Sequence, residues 1–176
     1  MSNAKILVIV AHPDLANSRI NKRLAGGVVN LPNVQVDKLY INYPDGVIDV
    51  AREQELLAQS DVLVFQFPFY WYAAPALLKE WQDKVLGASW SSEQFRESLQ
   101  GKKLLVVTTA AHAATTYLRG AENKYTVEES MTPLRQMADY CGMLWQTPHV
   151  IYEVKDFTDE DIDRVVEEYK ELLSGY

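Results

Sequence analysis

The chain has 176 residues, 48% of them apolar, enough for one compact domain whose core needs neither disulfide nor metal. Its 24 acidic against 17 basic residues leave a net charge of -7, which argues against nucleic acid or an anionic membrane as the main partner. The lone cysteine, Cys141, excludes an internal disulfide framework and fits a reducing cytoplasm. Its neighbours Tyr140, Gly142 and Met143 offer no positive charge to activate a thiolate, so it reads as a packing residue. No basic leader precedes a cleavable apolar segment, and no uncharged apolar run approaches the ~18 residues of a membrane span. The expectation is a cytoplasmic protein with a single domain over residues 1–176.

In chain order, KILVIV (5–10) is a continuously apolar run of the kind a strand covered on both faces requires. Ile20, Leu24 and Val28 then recur at four-residue spacing and predict a helix over 18–29. VQVDKLY (34–40) alternates as an edge strand would, and Asp49 can cap a helix with Leu56 and Leu57 on its inner face. DVLVFQF (61–67) is a second buried strand. Directly after it, FPFYWYAAP (67–75) crowds five rings into nine positions. Pro75 can open a helix over 75–86, with Leu77, Leu78, Trp81 and Val85 as its stripe. KKLLVVTTA (102–110) is the third buried strand, 127–141 a further helix, and HVIYEV (149–154) an alternating fifth strand. Thr158 and Asp161 resemble a loose capping box ahead of Ile162, Val165, Val166, Tyr169 and Leu173.

Strand and helix alternate throughout, which predicts an α/β fold: a parallel sheet with helices on both faces. Right-handed crossovers among five strands favour the order 2-1-3-4-5. In that order the chain reverses direction between strands 1 and 3, opening a crevice at their carboxyl ends. Three unusual segments border it: AHPDLANSRIN (11–21), PFYWYAAP (68–75) and TTAAHAATTY (108–117).

The first segment offers hydroxyl, amide and backbone N–H donors at a helix start, with His12 and Arg19 as sources of charge, and so reads as a phosphate cradle. It reads equally as an ordinary helix cap with a histidine closing a turn. The rings of the second suit a flat conjugated ligand, or the packing of the sheet or a subunit interface. The third brings Thr108 and Thr109 to a strand tip, followed by small residues that let backbone approach a planar ligand, then His112 as a candidate proton relay and Tyr117. His149 reads as structural. Together these point to a flavin mononucleotide or another phosphorylated nucleotide.

The same segments, in the same order, resemble the flavodoxin-like NAD(P)H:quinone oxidoreductases, above all the ancillary flavoproteins of glutathione-regulated potassium-efflux systems. The resemblance is carried by AHPDLANSRIN, LYINYPDGVIDVAREQELL (39–57), FQFPFYWYAAPALLKEWQDKVL (65–86) and YCGMLW (140–145). It implies a three-layer α/β/α sandwich with FMN or FAD in the crevice. The absence of an extension beyond Tyr176 to hold an adenosine half leans towards FMN. His12, Ser18, Arg19, Ile20 and Asn21 would line the phosphate; Pro68, Phe69, Tyr70 and Trp71 would border the ring; Thr108, Thr109, Ala110 and Ala111 would meet its polar edge. Tyr117 and His112 are the catalytic candidates.

The resemblance also implies ping-pong exchange between NADPH or NADH and a quinone, in a homodimer. Its alternative is a flavin-binding regulatory subunit docked on a potassium-efflux transporter at the inner face of the membrane. A receiver-type signalling domain of the same topology is not supported, since strand 1 ends in Ala-His-Pro rather than an acidic pair. Two departures stand out. Ala110 and Ala111 replace the family's usual glycines and are tolerable only at negative φ. Gly46 follows Tyr43-Pro44-Asp45 where relatives carry an aromatic residue.

Overall fold

The computed structural model describes residues 4–87 and 92–176. Its first apolar run forms β1 (Ile6–Val10), buried along its whole length; β1 and β4 (Lys103–Thr109) flank the central strand, β3 (Val62–Pro68). The alternating run forms β2 (Val34–Lys38) at the edge, paired with β1 in parallel register from Ile6↔Val34 to Val10↔Lys38. The order is the expected 2-1-3-4-5, with every pairing parallel.

The fifth position differs from the expected continuous strand. Two short pieces share it: β5 (Leu144–Trp145) pairs Lys103 and Leu104, and β6 (His149–Ile151) pairs Val107 to Thr109. Between them lies Pro148, which has no N–H to give to a ladder, so pairing lapses there and resumes one residue later. His149 keeps its expected structural place in β6, and burial pushes its imidazole pKa down.

Side-chain alternation sorts the core into two layers. Val8, Val10, Val64, Leu105 and Val107 face α1 (Ile20–Val28) and the last helix, α8 (Asp159–Ser174). Leu7, Ile9, Phe65, Phe67 and Val106 face α3 (Val50–Ala58), α4 (Ala76–Trp81), α5 (Glu93–Leu99) and α7 (Thr132–Tyr140). Cys141 lies in this second layer, where burial pushes its thiol pKa up and keeps it an uncharged packing group. The expected caps form. Asp49 accepts from Arg52 N, and Thr158 and Asp161 make a reciprocal capping box for α8. Ile162, Val165, Val166, Tyr169 and Leu173 are all buried.

The expected 127–141 helix is two helices, α6 (Val127–Ser130) and α7, because Pro133 sits in the first turn of α7 and a break precedes it at Met131. The expected strand over 34–40 ends at Lys38, and its last two residues, Leu39 and Tyr40, open the short α2 (Leu39–Asn42); α5 has no counterpart in the sequence reading. After α4 the chain winds into a π-helical turn, Gln82–Leu86.

One buried ionic cluster ties α3 to α4. Glu53, fully buried, accepts from the Tyr43 hydroxyl at 2.6 Å and from Trp81 Nε1 at 2.8 Å. Arg52 pairs with both Glu53 and Asp37, the latter at 2.7 Å. Burial pushes the Glu53 carboxyl pKa up, against the Tyr43 and Trp81 hydrogen bonds and the Arg52 charge; the Tyr43 phenol is pushed up to about 12, chiefly by burial. Gly46 has φ 76°, a left-handed turn that glycine takes without strain. That backbone gives the Gly46 departure a physical reason.

Candidate functional site

The segments following β1, β3 and β4 meet at the carboxyl end of the sheet. In the first, the His12 ring is nearly buried; its Nδ1 accepts from Asp14 N at 3.1 Å and its ring stands edge-on to Tyr70 at 6.1 Å. Burial lowers the His12 pKa, with Asp14 opposing, so the imidazole is held towards its neutral form. Ser18 Oγ accepts from Asn21 N at 3.2 Å at the head of α1. Helix geometry leaves the Arg19 and Ile20 N–H groups without an intrahelical carbonyl, at the positive end of the helix. The Arg19 side chain turns elsewhere: it donates to Phe157 O at 3.2 Å and pairs with Asp159 at 3.5 Å. Arg23 pairs with Asp159 and Asp163 beside it. Lys22 and Lys38, which the sequence reading did not single out, border a cleft of about 260 Å³ behind His12.

Between the first and third segments runs a buried amide chain. Asn21 Nδ2 donates to Thr109 Oγ1 at 3.0 Å, and Gln66 Nε2 donates to Asn21 O at 2.9 Å. Gln66 is the one polar side chain in a run of buried apolar residues, a signal present in DVLVFQF that the sequence reading passed over.

The second segment leaves β3 at the buried Pro68 and turns back on itself. Tyr70 and Ala73 exchange two backbone hydrogen bonds of 3.0 Å around Trp71 and Tyr72. Both central residues have positive φ, 46° and 64°, as a type I′ turn requires. Bulky side chains seldom adopt that region, and each is expected to cost about 1–3 kcal/mol. Tertiary contacts hold the conformation. The Tyr72 hydroxyl donates to Asn123 Oδ1 at 2.9 Å, and the Tyr72 ring meets Phe69 edge-on at 6.0 Å. Asn123 Nδ2 reaches Thr116 O at 3.1 Å, so one amide joins the second segment to the third. Trp71 projects outward with 93% of its surface exposed.

In the third segment the two threonines diverge, as alternation on a strand demands. Thr108 Oγ1 donates to Phe67 O at 2.8 Å, while Thr109 meets Asn21 and its carbonyl accepts from Phe69 N at 2.9 Å. Ala110 N donates to Ile151 O at 2.8 Å. Neither Ala110 nor Ala111 is among the residues of positive φ, so alanine carries no backbone strain there. His112 is exposed, and its carbonyl accepts from Glu153 N at 3.1 Å. Tyr117 is buried between Phe69 at 6.1 Å and Tyr152 at 5.8 Å. Burial pushes its phenol pKa up, against a hydrogen bond with the His112 backbone.

The fold thus brings His12 to Tyr70, Asn21 to Thr109 and Phe69 to Tyr117, while the Arg19 guanidinium and the Thr108 hydroxyl are committed outside this meeting point. Gln66, Tyr72, Asn123 and Tyr152 join the site from outside the expected set. A helix start with unpaired donors can take an anion, the ring wall a flat conjugated body, and the small-residue loop its polar edge. No cluster of metal-ligating side chains occurs among the described residues.

The family described by a flavodoxin-like fold matches residues 4–173. The glutathione-regulated potassium-efflux system ancillary protein KefG of Cronobacter sakazakii is 42% identical over 149 residues, 85% of this chain and 81% of that protein. General stress protein 14 of Treponema denticola, solved in complex with FMN, superposes with a TM-score of 0.89 at 32% identity, covering 97% of this chain and 98% of that one. An NADPH-quinone reductase from P. pentosaceus superposes at 0.87 with 29% identity, over 98% and 99% of the two chains. By a match that spans nearly all its length, and by the sheet order described above, the chain belongs to the flavodoxin-like fold family.

Proposed function

We propose that this protein is a flavin-dependent NAD(P)H:quinone-type oxidoreductase with FMN in the switch-point crevice. One observation carries the reading: an anion-facing helix start, an aromatic wall and a close-approach backbone loop converge at the carboxyl ends of β1, β3 and β4. The residues fit the cofactor. The Ser18 hydroxyl and the first-turn N–H groups of α1 would hold the phosphate, beside neutral His12 and the Lys22 and Lys38 charges. Phe69, Tyr70 and Trp71, turned out of the sheet by Pro68, would border the ring, and the backbone of Thr108 to Ala111 would meet its polar edge.

When bound, the flavin supplies two-electron exchange between a nicotinamide and a quinone. The protein's part is to bind, orient and exclude water. Tyr117, its phenol pKa raised by burial, stays protonated at neutral pH and can donate a hydrogen bond to a carbonyl; His112, exposed at the rim, can pass a proton to solvent. The FMN complex of the Treponema protein and the name of the P. pentosaceus NADPH-quinone reductase support this reading. So does the negative φ of both alanines.

The reading includes a homodimer, in which a second copy covers part of the exposed aromatic turn, and a cytoplasmic location with access to NAD(P)H. A second reading, an accessory flavoprotein docked on a potassium-efflux transporter, is favoured by the identity to KefG. Among the described residues no helix is long and apolar enough to cross a membrane, so association of that kind would run through a partner. The absorbance spectrum of purified protein, followed through NADPH and then quinone addition, tests the first reading. Flavin bands that bleach and recover are expected. A colourless protein that cannot be loaded with FMN would refute it, and loaded protein with negligible quinone turnover that co-purifies with a transporter would favour the second.

A further inference from the structure

We infer that Gln66 is the positioning residue for the phosphate end of the site, an assignment that rests on the flavin reading above. It sits on β3 and is fully buried on the sheet face that packs against α1. Its carbonyl accepts from Ala11 N at 2.9 Å, and its side-chain amide donates to Asn21 O at 2.9 Å, with Asn21 Oδ1 at 3.4 Å. Residues 11 and 21 are the two ends of the segment that carries the Ser18 hydroxyl and the free N–H groups of the first helical turn. One residue therefore pins both ends of that loop to the middle of the sheet. Asn21 extends the attachment to Thr109 on the neighbouring strand.

A purely structural role would select a different side chain. The surrounding strand is apolar, and Gln66 Oε1 is buried with no protein partner, a desolvation cost that leucine would not carry. Against that cost the amide gives the Asn21 carbonyl a donor from the sheet that no apolar side chain could supply. What the contact fixes is the direction of the α1 N-terminus, and hence where its donors point.

The test compares FMN with riboflavin, which has the same ring and lacks the phosphate, by titration calorimetry on the full chain. The parent is expected to bind FMN more tightly. In Gln66→Leu, FMN affinity should fall roughly tenfold, the worth of about one hydrogen bond, with riboflavin affinity unchanged and the melting temperature no lower than the parent's. Equal losses for both ligands, or an unchanged ratio between them, would overturn the assignment. If Gln66→Leu does not fold, Gln66→Met, which keeps the side-chain length and removes the donor to Asn21 O, should narrow the same ratio, and a full ratio there overturns the assignment. A parent that binds neither flavin refutes the flavin reading itself, a different result from a parent that binds both with no effect of Gln66.

Discussion

Trp71 and Tyr72 occupy a conformation that local preference assigns to glycine or asparagine. The crowding of rings was readable in FPFYWYAAP, where it suggests a flat-ligand or interface role. The left-handed backbone was not, because it is imposed by Asn123 and Phe69, one of them about fifty residues away along the chain. Trp71 touches little of its own chain, so its strain and its ring can be separated by mutation. Trp71→Gly is expected to melt no lower than the parent, since glycine relieves the positive φ and few contacts are lost. Stacking worth about 0.5–1.5 kcal/mol should disappear, weakening flavin or acceptor binding roughly three- to tenfold. A fall in melting temperature with unchanged binding would make Trp71 a packing residue. The alanines at 110 and 111 needed the opposite outcome, negative φ, and have it.

At the scale of elements, long periodic segments were legible and short or interrupted ones were not. The three continuously apolar strands and α8, with its cap and its five buried positions, followed from pattern alone. The split at Pro148 was missed because the pairing of Leu144 and Trp145 is set by β4 rather than by their own propensity. Gln66 was missed because one polar residue does not disturb an apolar run, and its partner lies 45 residues earlier. The α3–α4 clamp was likewise hidden, since a glutamate in a helix reads as solvated until a tryptophan N–H is placed against it. That clamp makes a pH-dependent prediction. The folded-state pKa of Glu53 is raised, so the folded protein binds this proton more tightly than the unfolded chain does. Its stabilisation is complete below the ordinary carboxylate pKa of about 4.3 and is lost as pH rises through the raised value. The melting temperature of the parent relative to Glu53→Gln should therefore fall as pH rises from about 4 towards neutrality. A difference that grows with pH would mean that the donors around Glu53 outweigh its burial.

Across the molecule, most of the large apolar side chains left exposed among the described residues lie on segments after β2, β3 and β4. Ile41, Val47, Trp71, Leu118 and Tyr125 are all exposed, on segments after β2, β3 and β4 that share the carboxyl end of the sheet. Composition alone could not reveal this, because exposure depends on which residues the fold leaves over once two core layers are filled. The proposed dimer gives these side chains a partner. Sedimentation equilibrium should report a particle of twice the chain's 20.0 kDa, and Val47→Asp should shift it towards the monomer by burying an unpaired charge at the contact. A monomeric parent at micromolar concentration would remove the dimer from the proposed function.

The pairing of Arg19 with Phe157 O and Asp159 also bears on when the site is made. These contacts join residues 138 and 140 positions apart, so the opening loop is fastened by a segment that the ribosome adds only after β3, the aromatic turn and β4. A nascent chain emerging from the ribosome can lay down β1, β3 and the aromatic turn long before Asp159 exists. Until then the head of α1 lacks one of its moorings, and the opening loop reaches its finished form only once that later segment has emerged.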